Sequence, residues 1–409
     1  MRTERAKDSK WQRALVEFLG LKRNMIVLLT MVILLGLGEK MAERFLPIYI
    51  LALGGSTLAV GLLNGMDNLL SALYSYPGGY ASDRLGYKRA LILFNLIAML
   101  GYLIVILFPY WPAVIVGSIF FLSWTAISLP ATMDMISSVL PMNKRTMGVS
   151  MHSLVRRVPM ALGPVLGGIL IGLFGEKDGV RLAFVVAFIL GGVSLVLQQV
   201  LISEGERSER KAEGNPLRVL SSISPSLRNL LISDILVRFC EQIPYAFVVV
   251  WAINVNGITP VQFGILTMVE MVTAMLIYIP VAYLADRGQK KPFVVTTFGF
   301  FTLFPLLLLF THSFWPMVLA FVIRGLKEFG EPTRKAMIMD LAPADKKAGT
   351  FGAYYLARDI IVSIAAFGGA FLWNLSPVAN FLAAFGFGLL GTLYFALFGK
   401  DLHPAEIVS

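Results

Sequence analysis

Long apolar runs, separated by short polar segments, occupy almost the whole chain beyond about residue 24. A helix needs roughly 20 consecutive apolar residues to cross the hydrocarbon core of a bilayer. Many runs reach or approach that length. The pattern predicts twelve transmembrane helices, called spans 1 to 12 below, over approximately 25–51, 60–80, 90–108, 112–137, 146–172, 180–202, 227–254, 261–283, 292–310, 316–341, 349–372 and 377–398.

The composition agrees with this pattern. Hydrophobic residues make up 57% of the chain and charged residues 15%, and the mean hydropathy is +0.74. An ordinary soluble protein could not cover so much apolar surface. We therefore expect an all-α integral membrane protein that lies in a lipid bilayer.

Two parts of the chain repeat each other. When residues 61–84 are placed on 264–287 without a gap, Asp67 coincides with Glu270, and the same charged turn ends both segments. The other matches are Gly61 with Gly264, Leu63 with Leu266, Leu73 with Leu276, Pro77 with Pro280, Tyr80 with Tyr283, and Asp83-Arg84 with Asp286-Arg287. Parallel repeats are a known way of building transporters, so we expect two pseudo-symmetric six-helix bundles.

A sustained polar stretch separates the two predicted halves. The expected domains are a cytoplasmic tail over 1–23, a bundle over 24–202, a cytoplasmic linker over 203–226, a second bundle over 227–398 and a cytoplasmic tail over 399–409. The first tail favours a short helix on the inner membrane surface, with a disordered tail as the alternative. Its apolar helical face consists of Trp11, Leu15, Phe18 and Leu19.

The net charge of +10 indicates orientation rather than a nucleic-acid partner. Lys and Arg collect in the N-terminal tail, in both repeated turns and through 203–228, whereas the alternate loops carry none apart from Lys177 and Arg181. By the positive-inside rule, both termini and the linker lie in the cytoplasm. We expect the cell membrane as the location.

Signals of an enzyme, a metal site or a cofactor site are missing from the sequence. One cysteine, Cys240, excludes an intrachain disulfide. His152, His312 and His403 are too scattered for a metal site. Neither a nucleophile elbow nor a phosphate-binding loop is present. The expectation is therefore no enzyme, no cofactor and no metal.

The first repeated turn reads Gly-Tyr-Ala-Ser-Asp-Arg-Leu-Gly-Tyr-Lys-Arg over residues 79–89. Its characteristic positions are Gly79, Asp83, Arg84, Gly86, Lys88 and Arg89. This turn resembles the loop between the second and third helices of the major facilitator superfamily, and the turn with Asp286 and Arg287 is a degenerate copy. The resemblance implies two six-helix bundles, secondary active transport of a small organic solute by alternating access in a monomer, and a gating role for both turns.

Ionisable side chains are confined to particular spans. Spans 3, 9 and 12 contain none, and span 6 has only Arg181 at its edge. Such groups are costly in lipid, so we expect them to face a central cavity or another helix. The proton-coupling candidates are Glu39, Glu43, Asp67 and Glu270. The substrate-cavity candidates are Arg44, His152, Arg156, Arg238, Glu241, Arg324, Lys327, Glu328, Glu331 and Arg358.

Structural ion pairing is the alternative for all of these residues. In span 10, the helical spacing predicts the pairs Arg324–Glu328 and Lys327–Glu331. Acids and bases are evenly matched, so the sequence predicts neither an anionic nor a cationic substrate.

A second resemblance concerns the direction of transport. Residues 159–168 resemble the glycine- and proline-rich motif of the antiporter branch of the superfamily, with Pro159 in place of the first glycine. The matching residues are Gly163, Pro164, Gly167 and Gly168. This implies a drug- or metabolite-antiporter-like protein and proton-coupled efflux, although a packing groove would use the same small residues. Span 4 lacks the arginine that drug–proton antiporters carry there.

Import is the alternative direction. Residues 39–45, Glu-Lys-Met-Ala-Glu-Arg-Phe, are similar to the Glu-x-x-Glu-Arg-Phe motif of proton-coupled oligopeptide transporters, with the first glutamate shifted by one position. A uniporter remains the third possibility, because every buried acid could be structural.

Overall fold

The computed structural model describes residues 23–122, 124, 128, 132, 135, 142–201, 223–285, 289–342 and 347–400. In the first half, the helices are Arg23–Glu43 and Leu46–Ala52 (span 1), Thr57–Leu85 (span 2), Tyr87–Leu107 (span 3), Trp111–Phe121 (start of span 4) and Met142–Leu201 (spans 5 and 6). The last of these is interrupted at Gly175, whose φ of 80° leaves the helical region and allows the chain to reverse.

The second half has the same order of elements. Span 7 comprises Pro225–Tyr245, Phe247–Val250 and a π-helical turn, Trp251–Val255. The remaining helices are Pro260–Ala285 (span 8), Lys290–Leu309 (span 9), Phe314–Leu326 and Glu331–Leu341 (span 10), Lys347–Leu375 (span 11) and Pro377–Phe398 (span 12). The predicted interfacial helix in the first tail and most of the predicted linker lie outside the described residues.

Six of the described helices are long and apolar enough to cross a membrane. One of them, Val155–Leu201, contains both span 5 and span 6. The two parts of span 7, bent by 41°, would make a seventh if they cross together. Spans 1 and 10 are each divided into shorter helices beside charged residues, and span 4 is described only in part.

The breaks in spans 1 and 10 have local causes. Pro47 lies in the first turn of Leu46–Ala52, and Pro332 lies in the first turn of Glu331–Leu341. Proline is favourable at the start of a helix, but its ring disrupts the turn before it. Both breaks lie beside charged side chains. In spans 1 and 10, the helix is therefore interrupted where charged residues occur.

Glycines allow the same close helix contact in both bundles. Gly167 in span 5 and Gly369 in span 11 are 202 residues apart, as are their partners Met41 and Ile243. A Cβ atom at either glycine would overlap the partner's carbonyl oxygen. Gly163 packs on span 1 one turn away, at Lys40. The small residues of the predicted antiporter motif therefore serve as helix contacts in this structure.

This contact gives a matched pair of variants. Gly369→Ala is expected to lower the free energy of unfolding by about 1–3 kcal/mol, because the added methyl group overpacks the interface. Gly368→Ala should be neutral or slightly stabilising, since nothing lies within 4 Å of a Cβ atom there and alanine is the better helix former. Thermal unfolding of both purified variants in detergent provides the measurement. Equal effects at the two positions would contradict the packing argument.

The two halves meet along two symmetry-related helix pairs. Span 2 packs on span 11 through Gly61 and Gly65, and span 5 packs on span 8 through Gly168 and Gly264. The hydroxyl of Thr57, at the start of span 2, also bonds to a side chain at the far end of span 11. These contacts lie at the ends of the spans that the charge pattern places outside, so the halves are closed together on that side.

Candidate functional site

A continuous chain of ion pairs runs through the second half of the protein. It joins five basic and five acidic residues of spans 7, 8, 10 and 11, with charges that alternate in sign. In order, these are Arg324, Glu270, Lys327, Glu241, Arg238, Glu331, Arg334, Asp234, Arg358 and Asp359. These ten residues carry five positive and five negative charges, so the chain of ion pairs is neutral and needs no external counter-ion.

The geometry of these pairs is close throughout. The Nη1 atom of Arg238 lies 2.6 Å from Glu241, and its Nη2 atom lies 2.7 Å from Glu331. Arg334, whose side chain is 1% exposed, contacts Asp234 and lies 2.8 Å from Glu331. Buried charges are tolerated when their partners are well placed, and these contacts of Arg238 and Arg334 meet that condition.

The predicted pairs within span 10 are wrong. Arg324 and Lys327 instead pair with Glu270 of span 8, each at 3.2 Å, while Glu331 pairs with Arg238 and Arg334. The physical reason is the end of the helix at Leu326 and its restart at Glu331. This break changes the helical spacing on which the predicted pairs depended.

The first half has a smaller charged cluster, in span 1. The ammonium group of Lys40 lies 3.1 Å from Glu39 and contacts Glu43 directly. One lysine therefore bridges the two span 1 glutamates that are candidates for proton coupling. Arg44, the next charged residue, stacks its guanidinium group 5.0 Å from the ring centre of Tyr245 in the other half.

Three charged residues in the middle of the described spans differ from the rest. Within the described residues, no opposite charge lies within 4.0 Å of Arg44, Asp67 or Arg156. Two of them, Arg44 and Asp67, line the same cavity between the two halves. Arg156 lies elsewhere, in a cavity of the first half.

The central cavity measures about 40 Å³, enough for a few water molecules but not for an organic solute. Both halves contribute to its wall: Glu43, Arg44, Leu46, Pro47, Leu63, Asn64, Asp67, Leu122, Tyr245, Ala246, Val248, Val249, Phe263 and Arg324. The cavity is therefore contracted in this structure and must widen before it can hold a solute.

A second cavity of about 20 Å³ lies within the first half. His152 and Arg156 line it together with Glu39 and Lys40 of span 1. The structure thus distributes the predicted cavity residues over several cavities and the ion-pair chain, rather than in one site. A third, smaller cavity is lined by Glu241, Arg324 and Lys327 beside aromatic rings of span 9.

The repeat explains why Asp67 has no ion-pair partner among the described residues. Its counterpart Glu270 is held by Arg324 and Lys327 of span 10. Spans 4 and 10 begin in the same way, with Trp111-Pro112 and Trp315-Pro316. When these two starts are aligned, Phe120 coincides with Arg324 and Ser123 with Lys327. The first half therefore keeps the acid, but span 4 has no base at the two positions that correspond to Arg324 and Lys327.

Polar contacts also cross between the halves. Arg157 of span 5 lies 2.9 Å from Glu328 of span 10. Asn64 donates a hydrogen bond to the carbonyl oxygen of Gln242 at 3.0 Å, and Asn68 donates to the side-chain oxygen of Gln242 at 3.2 Å. These bonds join spans 2 and 7, and they must break when the halves move apart.

The repeated turn is described in part. Gly86 separates the helices of spans 2 and 3 and has a φ of 81°, a conformation that glycine adopts readily. Lys88 donates to the carbonyl oxygen of Gln199 at 3.0 Å, and Arg84 stacks on the ring of Tyr80. The side chains of Gly79, Asp83, Asp286 and Arg287 lie outside the described part.

Sequence reasoning missed several residues of this arrangement. Arg334 joins two acids of the ion-pair chain, and its position three residues after Glu331 was a usable signal. The inter-half contacts of Arg157 and Tyr245 had no such signal, because they depend on which helix faces of the two halves meet.

Comparison with protein families decides the classification. The family model described as Major Facilitator Superfamily matches residues 28–240 and again residues 230–408. The chain belongs to the Major Facilitator Superfamily. Its two matches correspond to the two repeated halves, each built as a six-helix bundle, and the protein is accordingly a membrane transporter rather than an enzyme.

Relatives of this superfamily member include two transporters of Methanocaldococcus jannaschii. The MFS-type transporter MJ1317 is 21% identical over 361 residues, covering 85% of this chain and 87% of the relative. The MFS-type transporter MJ1560 is 22% identical over 383 residues, covering 88% and 94%. The similarity thus extends along nearly the whole of each protein.

Solved structures support the same fold. A POT family transporter in complex with a thioalcohol-conjugated peptide has a TM-score of 0.76 at 14% identity, covering 95% of this chain and 97% of that chain. The nucleoside transporter NupG also gives 0.76, at 12% identity, with 92% and 100% covered. An inward-facing, unoccupied bacterial homologue of the human lysosomal transporter Spinster gives 0.71 at 15% identity, with 93% and 98% covered.

Proposed function

We propose that this major facilitator protein is a proton-coupled antiporter that exports a small organic solute, with Asp67 as the proton carrier. The observation that carries the proposal is the position of Asp67 in the cavity between the bundles without an ion-pair partner among the described residues. We further propose that it acts as a monomer in the cell membrane, with both termini in the cytoplasm and the bundles over 24–202 and 227–398 as its moving parts.

The physical argument concerns compensation of charge. An ionised carboxylate is costly inside a membrane unless a cation or a proton neutralises it. Glu43 and Arg44 of span 1 line the cavity together with Asp67, and Tyr245 and Arg324 line it from the other bundle. Lys40 and Arg324 are already paired with other acids, and Arg44 makes no ion pair with Asp67 within 4.0 Å, so a proton or a solute remains as a partner.

Antiport follows if the proton and the solute compete for the Asp67 carboxylate. A proton on the Asp67 carboxylate and a cationic group of the solute would occupy the same site, so only one can be present at a time. Each half-cycle then carries one of them, and an inward proton gradient drives the solute outward. The likeness of residues 159–168 to the antiporter-branch motif supports the same direction.

The other proton-coupling candidates are better explained as structural. Glu39 and Glu43 share Lys40, and Glu270 is paired with two cations of span 10. We assign them to the support of the site. The repeated turns, with Arg84 and Lys88 among the described side chains, are proposed to gate the cytoplasmic side.

One observation favours the opposite direction. The span 1 segment Glu39 to Phe45 is similar to the motif of proton-coupled oligopeptide importers, and Arg44 of this segment lines the central cavity. In that case, solute and proton would travel together, and Asp67 would have to bind its proton while the solute is present.

Everted membrane vesicles that hold a pH gradient, acidic inside, distinguish these functions. Quaternary ammonium compounds, organic anions, amino acids and dipeptides are added in turn while a fluorescent dye reports the gradient. An antiporter dissipates the gradient when its solute is added, and vesicles without the protein provide the control. Proton-driven uptake into right-side-out vesicles, with no response in everted ones, would overturn export in favour of import. Gradient-independent uptake would indicate a uniporter.

A further inference from the structure

The two uncompensated charges of the central cavity are opposite in sign. Arg44 and Asp67 lie on spans 1 and 2 of the same bundle, and neither has an ion-pair partner among the described residues. From this arrangement we infer that the solute is zwitterionic: its carboxylate or other anionic group pairs with Arg44, and its ammonium group pairs with Asp67. The inference rests on the proposed transport function and specifies its substrate class.

The other charges of the cavity are already engaged. Glu43 contacts Lys40, and Arg324 pairs with Glu270. Asn64 also lines the cavity, but its amide group already donates to two backbone carbonyl oxygens. Arg44 and Asp67 are therefore the charged groups of this wall that a solute can neutralise without displacing an existing ion pair.

Electroneutrality distinguishes a zwitterion from singly charged solutes. A cation would neutralise Asp67 but leave the Arg44 guanidinium uncompensated, and an anion would do the reverse. An uncompensated charge at a site closed off from water carries a penalty of several kcal/mol. A solute with both charges neutralises Arg44 and Asp67 at once. The planar guanidinium group of Arg44 is well suited to bind a planar carboxylate.

The other residues of the cavity wall indicate the chemical character of the solute between its charged groups. Most of it is apolar and comes from both bundles, including Leu63, Leu122, Val248, Val249 and Phe263. An apolar or aromatic body between two charged ends would fit this lining once the bundles separate. The present volume of about 40 Å³ excludes any such body from the contracted state.

The third uncompensated residue lacks this combination. Arg156 lines the cavity of the first bundle with His152, Glu39 and Lys40. Glu39, the carboxylate among these lining residues, is already paired with Lys40. That cavity therefore has an available positive charge without an available negative one, and a zwitterion gains nothing there over a simple anion.

Binding to the purified full-length protein in detergent at one fixed pH tests the inference. Thermal stabilisation is measured with four compounds. Phenylalanine carries both charges, its methyl ester only the positive charge, its N-acetyl derivative only the negative charge, and N-acetylphenylalanine amide neither. The dipeptide phenylalanylalanine and 6-aminohexanoic acid extend the series to wider charge separations. At least one zwitterion is expected to bind about 10- to 100-fold more tightly than its singly charged derivatives.

Two variants test which residue binds the anionic group of the solute and which binds its ammonium group. Arg44→Gln should bind the zwitterion no better than the ester, and Asp67→Asn should bind it no better than the N-acetyl derivative. Lys290→Gln, which removes one partner of a partly exposed ion pair at the start of span 9, should keep the full preference. Equal or tighter binding of a singly charged or neutral compound overturns the inference, and so does binding of no member of the series.

No proton gradient is present in this assay, so its outcome is separate from that of the vesicle experiment. A singly charged compound that binds tightly and dissipates the pH gradient would overturn the substrate class and leave antiport in place. A zwitterion that binds as expected but moves without proton exchange would overturn antiport and leave the substrate class in place.

Discussion

Asp67→Asn is expected to abolish proton-driven transport, while solute exchange continues at the higher solute concentrations that weaker binding requires. One-for-one exchange with protons can hold about a tenfold solute gradient for each pH unit across the membrane, because each unit is worth about 1.4 kcal/mol. Asparagine cannot take up the proton, so the variant should hold no gradient at any pH difference. Proteoliposomes loaded with solute, with and without a pH gradient, provide the measurement.

The repeat supplies a matched control for this prediction. Glu270→Gln removes the equivalent acid of the second bundle and leaves Arg324 and Lys327 without that partner. We expect this variant to be less stable but to keep proton coupling in the protein that folds, and Asp67→Glu to keep coupling too. Coupling that survives in Asp67→Asn and disappears in Glu270→Gln would show that the assignment of the two acids is reversed.

Arg334→Met is expected to produce the largest loss of stability, about 3–5 kcal/mol, because it removes the cation between two buried acids and leaves one negative charge of the ion-pair chain unbalanced. Arg334 pairs with Asp234 and Glu331, and both acids are almost fully buried. The hydroxyl of Tyr354 donates to Asp234 at 3.0 Å but cannot neutralise its charge. Thermal unfolding and the yield of folded protein from membranes provide the measurement.

A surface pair provides the control for that loss. Lys290 pairs with Asp340, and their side chains are 28% and 35% exposed. Lys290→Met should change the free energy of unfolding by less than about 1 kcal/mol, because water screens an exposed pair. The double variant Arg334→Met with Asp234→Asn should recover part of the loss. An Arg334→Met protein as stable as the wild type would contradict the buried ion-pair chain.

The asymmetry of the two bundles suggests a division of roles. In the second bundle, the buried charges are used up in one neutral chain, which favours a rigid body. In the first, Asp67 and Arg44 remain available beside span 1, which is broken at Phe45. Rocking of a rigid bundle against one that binds both solute and proton is consistent with alternating access around a site between repeats.

Much of this arrangement could be predicted from the sequence. The alignment of Asp67 with Glu270 and the turn from Gly79 to Arg89 indicated the repeat and the family, and both are read from local spacing alone. The confinement of charges to particular spans likewise indicated an interior site. Such signals survive in a single sequence because they depend on composition and spacing.

The pairing of the charges could not be predicted in the same way. Whether Glu270 is neutralised and Asp67 is not depends on what span 10 and span 4 present at equivalent depths, and on helix breaks such as the one after Leu326. Contacts between bundles, such as Arg44 with Tyr245, depend on the conformational state as well. Spacing along one helix contains neither kind of information.

Infrared difference spectroscopy tests the central claim, that Asp67 is the group that takes up and releases the proton, without the need for a known solute. Spectra of the purified protein are compared between acidic and alkaline conditions, and the carbonyl band of a protonated, buried carboxyl group is followed. The account predicts that the wild type and Glu270→Gln show this band reversibly and that Asp67→Asn lacks it. A band that persists in Asp67→Asn and is lost in Glu43→Gln or Glu270→Gln would contradict it.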